Sequence, residues 1–249
     1  MRNRALVIGV FVSLMAVASG VWAQDSETNK PAWHGDGAIG LSLAKGNSDT
    51  LLFSASATTH REWGQNELKL GADGQYGLND WGKSNETQSA NNIHGFIEYK
   101  RLITDRFYGM ARFDAGHDDL AAVRYRMILS PGAGYYFVKS EKWKLNGEIG
   151  PSFITERVGD DDSNYMTLRT SGRTEYAISK GAKVWGSVDY LPKVDDFGQY
   201  LLYGEIGAEA ALNSRLSLRV VANDKYNSRP AAGRETNDIT LISALVAKY

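Results

Sequence analysis

His117-Asp118-Asp119 sets a histidine beside two carboxylates, the pairing used by a general base and the acid that orients it. A hydrolase of lipids or peptides would need an Asp-His site of this kind, or a Ser-His pair. The other histidines are His34, His60 and His94, the last with Ser89 and Asn91 nearby in sequence. No Gly-x-Ser-x-Gly elbow accompanies any of them. A solvated polar loop is therefore the plainer reading of 117–119. Gly159-Asp160-Asp161-Asp162-Ser163-Asn164 could hold a divalent cation loosely, but it lacks the EF-hand spacing and reads better as an ordinary acidic loop. No phosphate loop is present. These residues give no expectation of a catalytic set, a metal site or a cofactor.

A second chemistry is spread along the chain. Glu98, Arg112, Asp114, Arg124, Arg126, Glu148, Arg173, Glu175, Glu205 and Glu209 fall at positions that alternate with apolar residues. Lys69, Lys100, Arg169, Asp73 and Asp189 share that parity. In strands, such alternation puts every one of these charges on one face. Enclosed in a small barrel, charges of both signs commonly pair and fill the interior. Left in water, they would ring a narrow channel and give it a weak ion preference. Arg112, Arg124 and Arg126, on neighbouring strands, are the sharpest candidates, although acids lie equally close.

The elements that must position these charges follow from periodicity. Period-2 segments recur and helical periodicity is absent. Residues 135–150, YYFVKSEKWKLNGEIG, show the pattern: Tyr135, Phe137, Trp143, Leu145 and Ile149 fall on one side, with Tyr136, Lys144, Asn146 and Glu148 on the other. Lys139 to Lys142 make the turn. About twelve such strands can be counted, an even number, as in single-chain outer-membrane barrels. Connections near Gly64, Asp105, Lys139–Lys142, Lys180 and Asn213 are short. Those at Leu78–Asn91, His117–Val123, Gly159–Asn164, Lys193–Gln199 and Asn227–Glu235 read as longer; Gly46–Asp49 is a tight turn. Short turns on one rim and longer loops on the other are the pattern of a membrane barrel with its short rim in the periplasm. Trp63, Tyr99, Phe107, Tyr135, Phe137, Trp143 and Tyr249 fall near the short-turn rim; Tyr76, Tyr165, Tyr190, Tyr200 and Tyr226 fall near the other, as two interfacial girdles would. Trp185 breaks the polarity of its strand. Pro131 and Pro151 sit inside strands, where a missing ladder donor predicts a bulge or break.

Composition agrees. The 249 residues contain 26 Gly, 13 Tyr, 6 Trp and no Cys. A ring of strands needs no disulfide staples. Mean hydropathy is −0.36, and after the start no uncharged apolar run approaches the ~18 residues of a helical span. Residues 1–23 carry Arg2 and Arg4, an apolar stretch from Ala5 to Ala18 and the ending Val21-Trp22-Ala23, the form of a secretory signal peptide. Removing it takes two of the 28 basic residues and none of the 29 acids, leaving a net charge of −3. That charge gives no argument for nucleic acid. The expected organisation is a signal peptide at 1–23, a short periplasmic lead-in at 24–36 and an all-β antiparallel transmembrane barrel at 37–249.

WHGDGAIGLSLAKGNSDT (33–50) resembles the opening of the YdiY-like family, described as salt-induced outer membrane proteins of unknown function. SPGAGYYF (130–137), GEIGPSF (147–153), YNSRP (226–230) and NDITL (237–241) extend the resemblance over nearly all of the mature chain. The resemblance implies an outer-membrane β-barrel of a Gram-negative bacterium and brings no mechanism with it. The expectation is a non-enzymatic outer-membrane protein, either a narrow channel or an envelope-supporting barrel; the link to salt or osmotic conditions comes only from the family. The alternative is a barrel hydrolase working at His117 and Asp118. The expected partners are outer-membrane lipids and the assembly machinery, which would read the terminal strand ending in Tyr249. Oligomeric state stays open.

Overall fold

Alternation of apolar and polar residues forces a sheet with two unlike faces, and a single sheet can satisfy both its edges by closing on itself. The computed structural model, which describes residues 32–44 and 49–249, does this. Twelve strands run β1 (Trp33–Ala44), β2 (Thr50–Trp63), β3 (Asn66–Asn79), β4 (Thr87–Leu102), β5 (Phe107–Asp118), β6 (Val123–Lys139), β7 (Trp143–Val158), β8 (Asp161–Ser179), β9 (Ala182–Lys193), β10 (Asp196–Ala211), β11 (Leu216–Asn227) and β12 (Asn237–Lys248). Each is antiparallel to its chain neighbour, and β12 returns to β1, so the barrel is closed. The closing pair runs from Asp36↔Lys248 to Gly40↔Ala244. It continues below in two backbone bonds between Gly35 and Tyr249, of 3.3 and 3.1 Å. The signal segment and the turn residues 46–48 lie outside the described residues. β1 begins at Trp33, inside the stretch expected as a lead-in.

The outward face is apolar. Ile206 and Ile239 each leave 72% of their surface uncovered, and Leu41, Ile97, Ile149 and Leu241 continue the band. Exposure on this scale suits lipid and not water. Strands of 12 to 19 residues exceed the ~9–11 that a tilted strand needs to cross. Trp143, Tyr135 and Phe137 flank the band at the short-turn rim. At the other rim Tyr190 meets Tyr200 edge-on and Tyr200 stacks on Tyr226, with ring centres 5.4 and 5.5 Å apart.

Three local expectations change. The loops at 159–164 and 193–199 shrink to two-residue connections, 159–160 and 194–195. Gly159 takes φ +61°, which lets the chain reverse tightly, and Asp161–Asn164 then pair with Val158–Thr155 as strand. Tyr165 does not join the girdle: it points inward, and its hydroxyl donates to Glu156 at 2.8 Å. The prolines interrupt the β6–β7 pairing between Leu129↔Phe153 and Ala133↔Ile149 but cause no register shift. Leu129↔Phe153 and Ala133↔Ile149 hold one register on either side, which sets Pro131 directly opposite Pro151. Two donorless residues on one rung confine the lost ladder bonds to a single place. Glycine at 132 and 150 lets the backbones close there, since a Cβ on Gly150 would lie 2.1 Å from the Pro131 carbonyl oxygen.

Candidate functional site

The inward face is a set of interlocked charges. Lys69, Glu98 and Arg112 occupy one row across β3, β4 and β5, with Lys69↔Glu98 and Glu98↔Arg112 in register. Alternation therefore presents all three to the lumen. Glu98 receives Lys100 at 3.2 Å and Arg112 at 3.0 Å. Lys100 reaches across the lumen to Glu148 on β7 at 2.8 Å. Glu148 also accepts from Arg169 at 3.2 Å and from the Tyr108 hydroxyl at 2.9 Å. Arg169 binds Asp189 in turn. Glu98, Glu148, Lys100 and Arg169 are all buried, so this belt survives because every charge has a partner. Arg112 extends it to Asp114, which takes His94 at 3.1 Å; the other nitrogen of His94 meets Asp73 at 3.0 Å.

The remaining candidates separate. Arg173 joins the belt loosely, 3.8 Å from Glu98 and 4.0 Å from Asp189. Arg126 lies in a different cluster, paired with Glu156 and 3.2 Å from the Tyr203 hydroxyl across the barrel. Glu175 pairs with Lys183 at 3.0 Å. Glu209 holds Arg219 at 2.7 Å and also Lys248, while Glu205 accepts from the Trp185 indole at 2.6 Å. The polarity break at Trp185 is thus an inward-facing ring with its own acceptor. Arg124 leaves the expected trio altogether. The register slips between Val123 and Tyr125, and the bulge turns Arg124 outward to Asp160 at the long-loop rim.

Two features are absent from a charge-only reading of the lumen. Tyr108 is fully buried and anchors Glu148 together with Asn146, whose amide donates to the Tyr108 hydroxyl at 2.8 Å. Ile128, Ile154, Leu191 and Leu201 form an apolar cluster inside the barrel, backed by Tyr165 and Tyr203. Both were open to parity: each of these residues is an apolar or aromatic side chain on the polar face of its strand.

At the rim, His117 has both ring nitrogens engaged. Nδ1 lies 2.9 Å from the Arg124 carbonyl oxygen and Nε2 lies 3.0 Å from Asp119. Neither is left to take a proton from a nucleophile. Ser89 sits beside Gly77 and Asn91 donates to Asp119, so neither reaches His94. The acids at 160 and 162 are held separately by Arg124 and by the Tyr125 hydroxyl. In the β3–β4 loop, hydrogen bonds to Asp49 and Asp80 hold the Lys83 ammonium above its ordinary value.

Space remains beside the belt. A cavity of about 870 Å³ includes Glu62, Gly64 and Lys183 of the short-turn end in its lining. The same lining reaches Asp118, Pro230 and Glu235 at the long-loop end. Only Lys144 and Asn146 of β7 contribute to it, because the inward Glu148, Ser152 and Ile154 farther along that strand are almost completely covered.

The model of the family described as "Protein of unknown function, DUF481" matches residues 37–249. The chain belongs to that family. No curated protein matches this DUF481 member. Among solved structures it is similar to the NanC porin, with a TM-score of 0.52 and 9% identity, covering 88% of this chain and 100% of that one. It is also similar to the COG4313 outer membrane channel from Pseudomonas putida F1, with a TM-score of 0.50 and 11% identity over 90% of this chain and 97% of that one. At these identities the likeness concerns the fold.

Proposed function

We propose that this protein is a narrow channel for small hydrophilic solutes in the outer membrane. One observation carries the reading: a single cavity has residues of both rims in its lining. The surrounding wall fits the role. An apolar belt meets lipid, and a polar, partly filled lumen leaves a restricted wet path. The short-turn rim, with both chain ends, faces the periplasm, and the strand ending in Tyr249 is the one presented to the assembly machinery. Residues 1–23 direct export. The association with salt or osmotic conditions is a further part of the proposal and would follow from a pore that is expressed to match the solute load.

The test is conductance of the mature chain, refolded in detergent and inserted into a planar bilayer. Heat-modifiable gel migration reports that the barrel has formed. Discrete, steady steps support the channel. A folded barrel that never conducts overturns it and leaves a structural envelope role. A hydrolase at His117 is the weaker reading, because both imidazole nitrogens are already engaged.

A further inference from the structure

Each charge of the belt has an ionic partner within 3.2 Å, and two cations beside it, Lys69 and Arg173, do not. Lys69 faces Glu98 in register, yet both Glu98 oxygens are already taken, Oε1 by Lys100 and Oε2 by Arg112. Among the described residues no carboxylate lies within 4 Å of the Lys69 ammonium. It rests instead 5.8 Å from the centre of the Phe96 ring, a ring it shares with Arg112, whose guanidinium lies 4.2 Å from the same centre. Arg173 reaches in from β8. Its two carboxylates are at 3.8 and 4.0 Å, the longest contacts in the belt, and its buried Nε has no hydrogen-bond partner. Lys69, Arg112 and Arg173 all line the cavity. Three cations thus gather round one saturated carboxylate, with the Lys69 ammonium short of a carboxylate and a buried Arg173 nitrogen short of an acceptor.

We propose that Lys69 and Arg173 form an anion subsite in the lumen, for the carboxylate or phosphate group of a small permeating solute. This deepens the channel reading and rests on it for the word permeating, though not for the word binding. An oxyanion supplies what the site lacks: charge for the ammonium and an acceptor for the guanidinium. The two cations approach from well-separated strands, β3 and β8, so a bound anion would bridge the lumen where it is narrowed by the belt.

The experiment has two arms on the same refolded protein. In the first, the thermal unfolding midpoint is measured in sodium phosphate and in sodium chloride of equal ionic strength, for the native chain, Lys69→Gln and Arg173→Gln. Lys69→Gln orphans no carboxylate, so it keeps the barrel folded even if Arg173→Gln does not. The expected result is a phosphate-specific gain of several degrees in the native chain that is lost in Lys69→Gln. Equal gains in both overturn the subsite. In the second arm, reversal potentials in a potassium chloride gradient give the ratio of anion to cation permeability. A native ratio above one that falls at least threefold in Lys69→Gln supports the subsite, and an unchanged ratio overturns it. A barrel without conductance that still loses its phosphate gain in Lys69→Gln keeps the subsite and overturns the channel. Loss of neither signal in a conducting barrel does the reverse.

Discussion

Arg112 and Arg124 each place a guanidinium nitrogen 3.0 Å from a carboxylate. Arg112 lies in the middle of the lumen with 11% of its side chain exposed; Arg124 stands at the outer rim with 60% exposed. The distances are the same and the surroundings are not. Around Arg112, water has been replaced by other side chains, so its attraction to Glu98 and Asp114 is weakly screened and removing either partner leaves the belt with excess positive charge. Around Arg124, water and salt screen the pair and can replace it. A contact distance alone says little about what an ion pair contributes. Burial and the number of other groups that depend on it decide.

The largest effect should come from Glu148→Ala. It leaves the buried belt with one cation in excess, cuts Lys100 and Arg169 to a single carboxylate each and removes the acceptor of the Tyr108 hydroxyl, at a cost of about 3–5 kcal/mol. Urea titration of the refolded barrel, followed by tryptophan fluorescence, measures it; a loss under 1 kcal/mol would show that the belt is hydrated and not load-sharing. Gly134→Ala comes next. An added Cβ would lie 2.3 Å from the Tyr108 ring, which is fully buried and cannot swing away, so overpacking should cost about 1–3 kcal/mol by the same titration. Ser130 and Ser152 hydrogen-bond to each other at 2.6 Å beside the proline rung. Ser130→Ala alone should cost about 1–2 kcal/mol by leaving a buried hydroxyl unsatisfied, and the double Ser130→Ala, Ser152→Ala should recover part of that loss. Additive single losses would mean that the two hydroxyls do not depend on each other. The smallest effect belongs to Arg124→Ala, expected below about 0.5 kcal/mol and within the error of a urea midpoint. If Arg124→Ala matched Glu148→Ala, the contrast between rim and belt would collapse.

The fold was legible because it depends on a short-range rule. Twelve period-2 segments and an apolar band follow from which side of the chain each residue occupies, and a strand settles that within two residues. The side on which Glu98, Arg112 and Glu148 fall follows from the same rule. Arg124 shows where the rule fails. A one-residue bulge in β6 reverses the face, and nothing in Val123-Arg124-Tyr125 announces it. The acidic run after Gly159 failed differently: polar residues outside the membrane can extend a hairpin as easily as form a loop, and composition does not separate the two. Tyr108, Ile128 and Leu201 were visible as apolar side chains on polar faces, yet a reading that sorts only charges passes over them.

The sequence by itself determined the alternation, the number of strands, the outward band and the set of charges available to the lumen. Each of those is a property of neighbouring residues along one strand. Only the tertiary structure decided which charge meets which. Lys100 on β4 finds Glu148 on β7, and Arg173 on β8 stops short of Glu98, because closing the barrel brings distant strands together across its interior. Closure also fixed which cations were left without a close partner. Glu98 has two oxygens, Lys100 and Arg112 occupy them, and Lys69, although opposite Glu98 in the sheet, faces the cavity instead.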